Sequence, residues 1–263
     1  MKELLTIAVK AAYEGGLEIL DVYNSDFAVE HKDDKSPLTL ADKRAHLKIV
    51  EHLKDTGIPV LSEEGKSIPY EERSGWKRFW MVDPLDGTKE FVKRNGEFTV
   101  NIALIEDGQA VAGVIYVPVK RELYVGSAGG GAYKLENYTA DSPNDLDAIA
   151  AEGKTLPVST SQRPYTAVGS RSHKSPETEA FFEELKAAHG DIDIVSMGSS
   201  LKICLVAEGI ADVYPRFAPT MEWDTAAGHG IARGAGKDII DHSTNEPMRY
   251  NKENLLNNWF IVR

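Results

Sequence analysis

Apolar residues recur with a helical period over residues 3–23, where Leu4, Ala8, Ala11, Gly15 and Ile19 share a face and Lys10, Glu14 and Glu18 fall mostly elsewhere. That spacing predicts an amphipathic helix packed on a core. A second helix is expected over 39–55, with Ala41, Ala45, Ile49 and Leu53 at intervals of four and Gly57 as its stop. Two short apolar runs of strand length follow, Ile58-Pro59-Val60-Leu61 and Phe79-Trp80-Met81-Val82. Each ends in acidic, turn-forming residues, Ser62-Glu63-Glu64-Gly65 and Asp83-Pro84-Leu85-Asp86-Gly87-Thr88, where Pro and Gly interrupt a ladder. Residues 98–105 and 110–117, joined by Glu106-Asp107-Gly108-Gln109, read as an antiparallel hairpin, and 121–126 with 131–135 as a further pair. Residues 137–157 show no period and read as a connection. Beyond them strands (166–169, 192–197, 210–214, 237–241) alternate with helices (176–188, 200–208, 223–233). The expected fold class is therefore α+β over residues 1–150, followed by an α/β second lobe over 151–263.

With 263 residues the chain is long enough to bury a sizeable core. Its single cysteine, Cys204, excludes an intramolecular disulfide and points to a reducing, cytoplasmic home. The spacing of Cys204 among Leu201, Leu205 and Val206 reads as a core thiol. No apolar run reaches the length of a membrane span and no signal peptide is expected. Lys and Arg number 30 against 41 Asp and Glu, a formal charge of −11, which disfavours a nucleic-acid polymer as partner. If the substrate is anionic, bound divalent cations are the most direct way to overcome that charge, so carboxylate clusters become the features to seek.

Four separated segments place carboxylates at element ends: Asp42, Glu63-Glu64, Asp83 with Asp86, and Asp224. The Pro84-Leu85 turn can aim Asp83, Asp86 and the Leu85 carbonyl at one point, an oxygen-rich set suited to a hard cation such as Mg²⁺. The ordinary alternative, that Asp83 and Asp86 cap a helix beginning near Thr88, has about equal weight on spacing alone. Gly87-Thr88 at a helix start would offer free N–H groups to a phosphate. No Walker loop, EF-hand loop or His-Glu-x-x-His motif exists in the chain. Gly228, Gly230 and Gly234 lie in a helical pattern and read as close packing, and Trp80, Trp223 and Trp259 read as packing aromatics.

Asp83-Pro84-Leu85-Asp86-Gly87-Thr88, upstream Glu63-Glu64 and downstream Trp223-Asp224-Thr225-Ala226-Ala227-Gly228 together resemble the signatures of the inositol monophosphatase superfamily of lithium-sensitive, Mg²⁺-dependent phosphatases. Within it, Lys89-Glu90-Phe91 and the run from Lys93 to Leu104 are similar to the branch that acts on 3′(2′),5′-bisphosphate nucleotides. Further likeness comes from Ser170-Arg171-Ser172-His173, Gly198-Ser199-Ser200-Leu201-Lys202 and Tyr214-Pro215-Arg216.

The resemblance implies a layered αβαβα sandwich with the site between its lobes. It implies two or three Mg²⁺ ions per site: Glu63, Asp83 and the Leu85 carbonyl on one ion, with Asp83, Asp86 and Asp224 on a second. Paired ions about 4 Å apart orient water and stabilise the leaving oxygen of an in-line displacement. Asp42 and Thr88 would activate the water, and Glu64 would stand behind the ligands. Gly87, Thr88, Ser170, His173, Gly198, Ser199, Ser200, Lys202 and Arg216 would bind substrate. Each of these has a plain alternative as a cap, a loop residue or a solvated charge, and only their co-occurrence with the acidic motifs favours the site reading. The reaction implied is hydrolysis of adenosine 3′,5′-bisphosphate to AMP and phosphate by a cytoplasmic monomer, free or peripheral at the inner membrane, with 3′-phosphoadenosine 5′-phosphosulfate as a second substrate. Competing readings are an inositol or sugar phosphatase of the same fold and a non-catalytic nucleotide sensor. The resemblance implies inhibition by Li⁺, and the larger coordination sphere of Ca²⁺ predicts inhibition by excess Ca²⁺.

Overall fold

The computed structural model of the chain describes residues 1–25, 37–158, 163–169 and 175–263. Ser170, Arg171, Ser172 and His173, which entered the expectations above, lie outside the described residues. Helices α1 (Lys2–Tyr23) and α2 (Pro37–Leu53) lead into β1 (Val60–Ser62), α3 (Tyr70–Arg73), β2 (Arg78–Asp86) and α4 (Thr88–Val92). There follow β3 (Thr99–Glu106), β4 (Gln109–Val117), β5 (Glu122–Ser127), β6 (Gly131–Leu135), α5 (Leu146–Glu152) and β7 (Lys154–Thr155). The rest comprises β8 (Thr166–Gly169), α6 (Pro176–His189), β9 (Asp193–Ser196), α7 (Leu201–Ala207), β10 (Tyr214–Arg216), α8 (Glu222–Gly234), β11 (Ile239–Asp241) and β12 (Phe260–Val262).

Strands β1 to β7 form one sheet in chain order, with β1 and β2 parallel and every later pair antiparallel. The period of two sorts its side chains between two cores. Trp80, Val82, Ile102, Leu104, Val114 and Tyr116 pack under α1 and α2, while Phe79, Met81, Ala103, Ile105, Ile115 and Val117 face α7 and α8. The third layer lies unusually close to the sheet. A Cβ on Gly113 would sit 1.9 Å from the Ala227 carbonyl oxygen, and one on Gly230 would sit 2.4 Å from the Ala112 carbonyl carbon. The α8 glycines are thus packing glycines. Beyond α7 and α8 lie the antiparallel sheet β10-β12-β11 and the parallel pair β8-β9, and α6 covers this layer through Phe182. The stack is the αβαβα sandwich expected.

Four elements depart from the sequence pattern. Residues 137–157 contain α5, whose Asp145 cap accepts from the Ala148 N–H at 3.0 Å, and β7, which extends the large sheet. The strand expected over 210–214 occurs at Tyr214–Arg216, because the Ile210 and Ala211 N–H groups turn back to the Leu205 carbonyl. Strand β12, between β10 and β11, comes from the terminal apolar run Trp259-Phe260-Ile261-Val262, which the alternating strands and helices expected for the second lobe did not include.

Candidate active site

The site begins where the β2–β3 ladder breaks. Asp83 pairs with Asn101 and Asp86 with Thr99, so Pro84 and Leu85 are squeezed out as an irregularity that turns both acids toward one side. Asp83 is buried, and its Oδ1 accepts the Leu85 N–H at 3.1 Å. Asp86 Oδ2 accepts the Ser200 N–H at 2.6 Å. Asp224 lies in the first turn of α8, where the helix dipole favours an acid, and it accepts the Met221 N–H at 2.9 Å. One carboxylate oxygen from each of Asp83, Asp86 and Asp224 lies within 4.8 Å of the others.

Glu63 and Asp42 stand beside this trio. The Glu63 N–H donates to the Val82 carbonyl at 3.1 Å, so β1 delivers Glu63 next to the end of β2, where its carboxyl hydrogen-bonds Asp83 from the exposed rim. Asp42 projects from α2, and its Oδ1 is buried without a hydrogen-bond partner. Burial, then Glu64 and then Glu63, push the Asp42 carboxyl up to about 8. Burial raises Asp83 well above the carboxylate range, and the charges of Asp86, Glu63, Asp224 and Asp42 add to it. Asp224 is pushed to about 7, again by burial first and Asp86 second. Burial raises Asp86 as well, against the nearby Lys202 charge and the Ser200 N–H.

So many crowded carboxylates, one with an orphaned oxygen, are costly as bare anions. Their donors are all oxygens, without His or Cys, which suits a hard divalent cation. The residues present therefore fit the metal that the sequence leads one to expect.

The opposite wall of the cleft is cationic. Lys202 and Arg216 line a cavity of about 150 Å³ together with Gly87, Ser199, Ser200, Asp86 and Asp224. Lys202 Nζ donates to the Ser199 carbonyl at 2.6 Å, and burial lowers its pKa to about 8. Arg216 donates from Nη2 to the Pro219 carbonyl at 3.1 Å, while its Nε is buried and unpartnered. Two anchors hold the Gly198–Ser200 corner. The Gly198 N–H donates to Glu97 Oε2 at 2.8 Å, and Ser200 Oγ lies 2.9 Å from both Asn101 Oδ1 and Thr99 Oγ1. Ser199 takes a left-handed φ of 45°. Gly87 does so as well (φ 102°), and a side chain there would press on the Phe98 backbone at 3.2 Å and on Ser199.

Asp42, Glu63, Glu64, Asp83, Leu85, Asp86 and Asp224 thus converge, with Gly87, Gly198, Ser199, Ser200, Lys202 and Arg216 around the adjoining cavity. Thr88 is exposed at the first position of α4, and no hydrogen bond joins it to Asp42. Ser170 and His173 fall outside the described residues. Sequence reasoning missed Lys89, Glu90 and Tyr214, which line the cavity, and the buried Asn101. Asn101 carried a signal, an amide inside the apolar run Val100 to Ile105.

The profile of the inositol monophosphatase family matches residues 1–259. The chain belongs to the inositol monophosphatase family. Members of this family are metal-dependent, in keeping with the acidic cluster. Among relatives, the 3′(2′),5′-bisphosphate nucleotidase CysQ of Salmonella typhimurium is 44% identical over 98% of this chain and 99% of its own length. The solved structure of CysQ from Bacteroides thetaiotaomicron, described as a bacterial member of the inositol monophosphatase family, is 52% identical. It covers 100% of this chain and 97% of its own, with a TM-score of 0.95. A staphylococcal IMPase-II structure shares the fold at 23% identity, covering 99% of this chain and 88% of its own with a TM-score of 0.74. Among the described residues, no helix of this family member is long and apolar enough to cross a membrane.

Proposed function

We propose that the chain is a Mg²⁺-dependent 3′(2′),5′-bisphosphate nucleotidase that hydrolyses adenosine 3′,5′-bisphosphate to AMP and phosphate, with 3′-phosphoadenosine 5′-phosphosulfate as a second substrate. The observation that carries the proposal is the meeting of the Asp83, Asp86 and Asp224 oxygens within 4.8 Å of one another, beside a cavity walled by Lys202 and Arg216. An anionic trio next to a cationic wall suits a ligand with two phosphates, one cleaved over the acids and one held by the bases. The names of the relatives support the same choice of substrate.

In this reading residues 1–150 contribute Asp42, Glu63, Asp83, Leu85 and Asp86, and residues 151–263 contribute Asp224 with the cationic wall. Glu63, Asp83, the Leu85 carbonyl, Asp86 and Asp224 would hold two or three Mg²⁺ ions. When bound, Mg²⁺ supplies charge neutralisation at the phosphate oxygens and an acidified water. The chain's own residues do the rest. Asp42, whose Oδ1 has no other partner, accepts a hydrogen bond from the attacking water and orients it, with the Thr88 hydroxyl on the other side. Lys202, tied to the Ser199 carbonyl, and Arg216, tied to the Pro219 carbonyl, fix the phosphate that is not cleaved. Ser199 and Ser200 stay in place through Glu97 and Asn101.

The test is phosphate release from adenosine 3′,5′-bisphosphate, inositol 1-phosphate and fructose 1,6-bisphosphate at equal Mg²⁺, for the wild type and Asp42→Ala. The adenosine bisphosphate should be preferred and the variant inactive. Preference for either polyol would overturn the substrate, and binding of the nucleotide without turnover would make the protein a sensor.

A further inference from the structure

Asp224 and Glu63 reach the acidic cluster from different parts of the chain, and their separation depends on what joins those parts. Besides the packing of α8 on the large sheet, one strip of backbone, residues 251–253, is held from both parts at once. On one side Arg73, buried with 3% of its surface exposed, donates from Nη1 to Asn251 Oδ1 at 2.8 Å and to the Lys252 carbonyl at 2.7 Å. Its Nη2 donates to the Glu253 carbonyl at 2.8 Å, and Asn251 Nδ2 donates back to the Arg73 carbonyl at 2.7 Å. On the other side Glu222, with no exposed surface, accepts the N–H groups of Asn251 at 2.6 Å and Lys252 at 3.0 Å, and pairs with the Lys252 ammonium.

The two ends of this strip are placed tellingly. Arg73 sits in the connection that starts at Glu63 and feeds β2, the strand that carries Asp83 and Asp86. Glu222 is the first residue of α8, two before Asp224, and its own N–H is fixed to the Leu255 carbonyl at 2.9 Å. The two Nη atoms of Arg73 and the fully buried Glu222 carboxylate both grip backbone groups of the strip, which leaves little freedom in either direction.

We propose that Arg73, Asn251 and Glu222 form a clasp that sets the distance between the Glu63–β2 segment and the first turn of α8, so that all three are positioning residues for the metal ligands. The inference rests on the metal-dependent reading of the site. It assigns to these groups a purpose beyond stability: cation affinity depends on ligand spacing to a few tenths of an ångström, whereas folding tolerates more.

The clasp is tested by calorimetric titration of Mg²⁺ into the chelator-treated protein without substrate, for the wild type, Glu222→Gln and Asn251→Gly. The glycine variant keeps the left-handed backbone (φ 70°) and removes only the amide that bonds Arg73, so it is the variant least prone to misfold. Both variants should bind Mg²⁺ at least tenfold more weakly while retaining a cooperative melt, and turnover should recover as Mg²⁺ is raised, with KM for the nucleotide unchanged. Lowered melting temperatures with Mg²⁺ affinity within twofold of wild type would show a purely structural role and overturn the clasp alone. A wild-type protein that takes up no Mg²⁺ would overturn the metal reading and the clasp with it.

Discussion

Asp83 is a buried carboxylate with carboxylates for neighbours, and that fixes what its replacement should do. In metal-free protein burial first, and then the charges of Asp86, Glu63, Asp224 and Asp42, oppose the Asp83 carboxylate, so folding must either bury a repelled charge or take up a proton. Asp83→Asn keeps the shape and removes the charge, so the metal-free variant should melt several degrees above the metal-free wild type, about 1 kcal/mol being worth roughly 2–4 °C at this size. The same change should abolish the rise in melting temperature on adding Mg²⁺ and cut turnover by more than about 10²-fold, whereas Glu64→Gln should cost roughly 10–100-fold at most. Thermal melts with and without Mg²⁺, paired with phosphate release, check both halves, and equal behaviour of the two variants would reject this division of labour. Asp83 and Asp86 were legible in the chain because Pro84-Leu85 between them advertises a turn. Asn101 and Glu222 were less so. Their partners, Ser200 and the backbone at 251–252, lie 99 and about 30 residues away, and no local spacing encodes such pairings.

Among the elements, α8 has the least room to move. Backbone meets backbone at Gly113 and Ala227 and again at Gly230 and Ala112, so an added methyl cannot be absorbed by turning a side chain. Gly113→Ala should push α8 off the sheet, cost about 1–3 kcal/mol or more, and weaken Mg²⁺ binding because Asp224 rides on the displaced helix. Urea unfolding and a Mg²⁺ titration on one preparation measure the two effects together, and a variant with wild-type values in both would show that the sheet yields instead. The helical period of α8, its glycines included, was plain in the sequence, as were β2 to β6, because burial on one or two faces writes itself into the residue pattern. α5 buries only Leu146 and Ile149, too few to establish a period. The apolar run of β12 was readable as a strand, but its place between β10 and β11 was not, because pairing with two strands elsewhere in the chain leaves no local spacing.

For the whole molecule, the joint between α8 and the terminal segment contains a histidine whose protonation is linked to folding. His229, with 1% of its surface exposed, has Nδ1 2.9 Å from the Tyr250 hydroxyl and Nε2 2.5 Å from Asp238 Oδ1. These contacts suit a neutral ring that accepts from Tyr250 and donates to Asp238. Burial lowers the His229 pKa below its ordinary 6.5, outweighing the hydrogen bond and charge of Asp238 that act the other way. In the unfolded chain the ring protonates as pH falls through about 6.5, while the folded ring does not until lower pH. Between those points the unfolded state holds the extra proton, so stability is lost as pH falls, at up to about 1.4 kcal/mol per pH unit for one proton. Asp238 is depressed through its bond to His229, and its contribution is lost only as pH falls through its own lowered value, in the same direction. His229→Gln can accept from Tyr250 and donate to Asp238 without titrating, so it should be somewhat less stable than wild type at pH 8 and lose less on acidification. The two stability curves should therefore converge between pH 7 and 5. The carboxylate cluster is common to both proteins and cancels in the difference. Urea unfolding across that range decides the matter, since parallel curves would mean that His229 takes up its proton equally in the folded and the unfolded chain, so that burial does not hold the ring neutral.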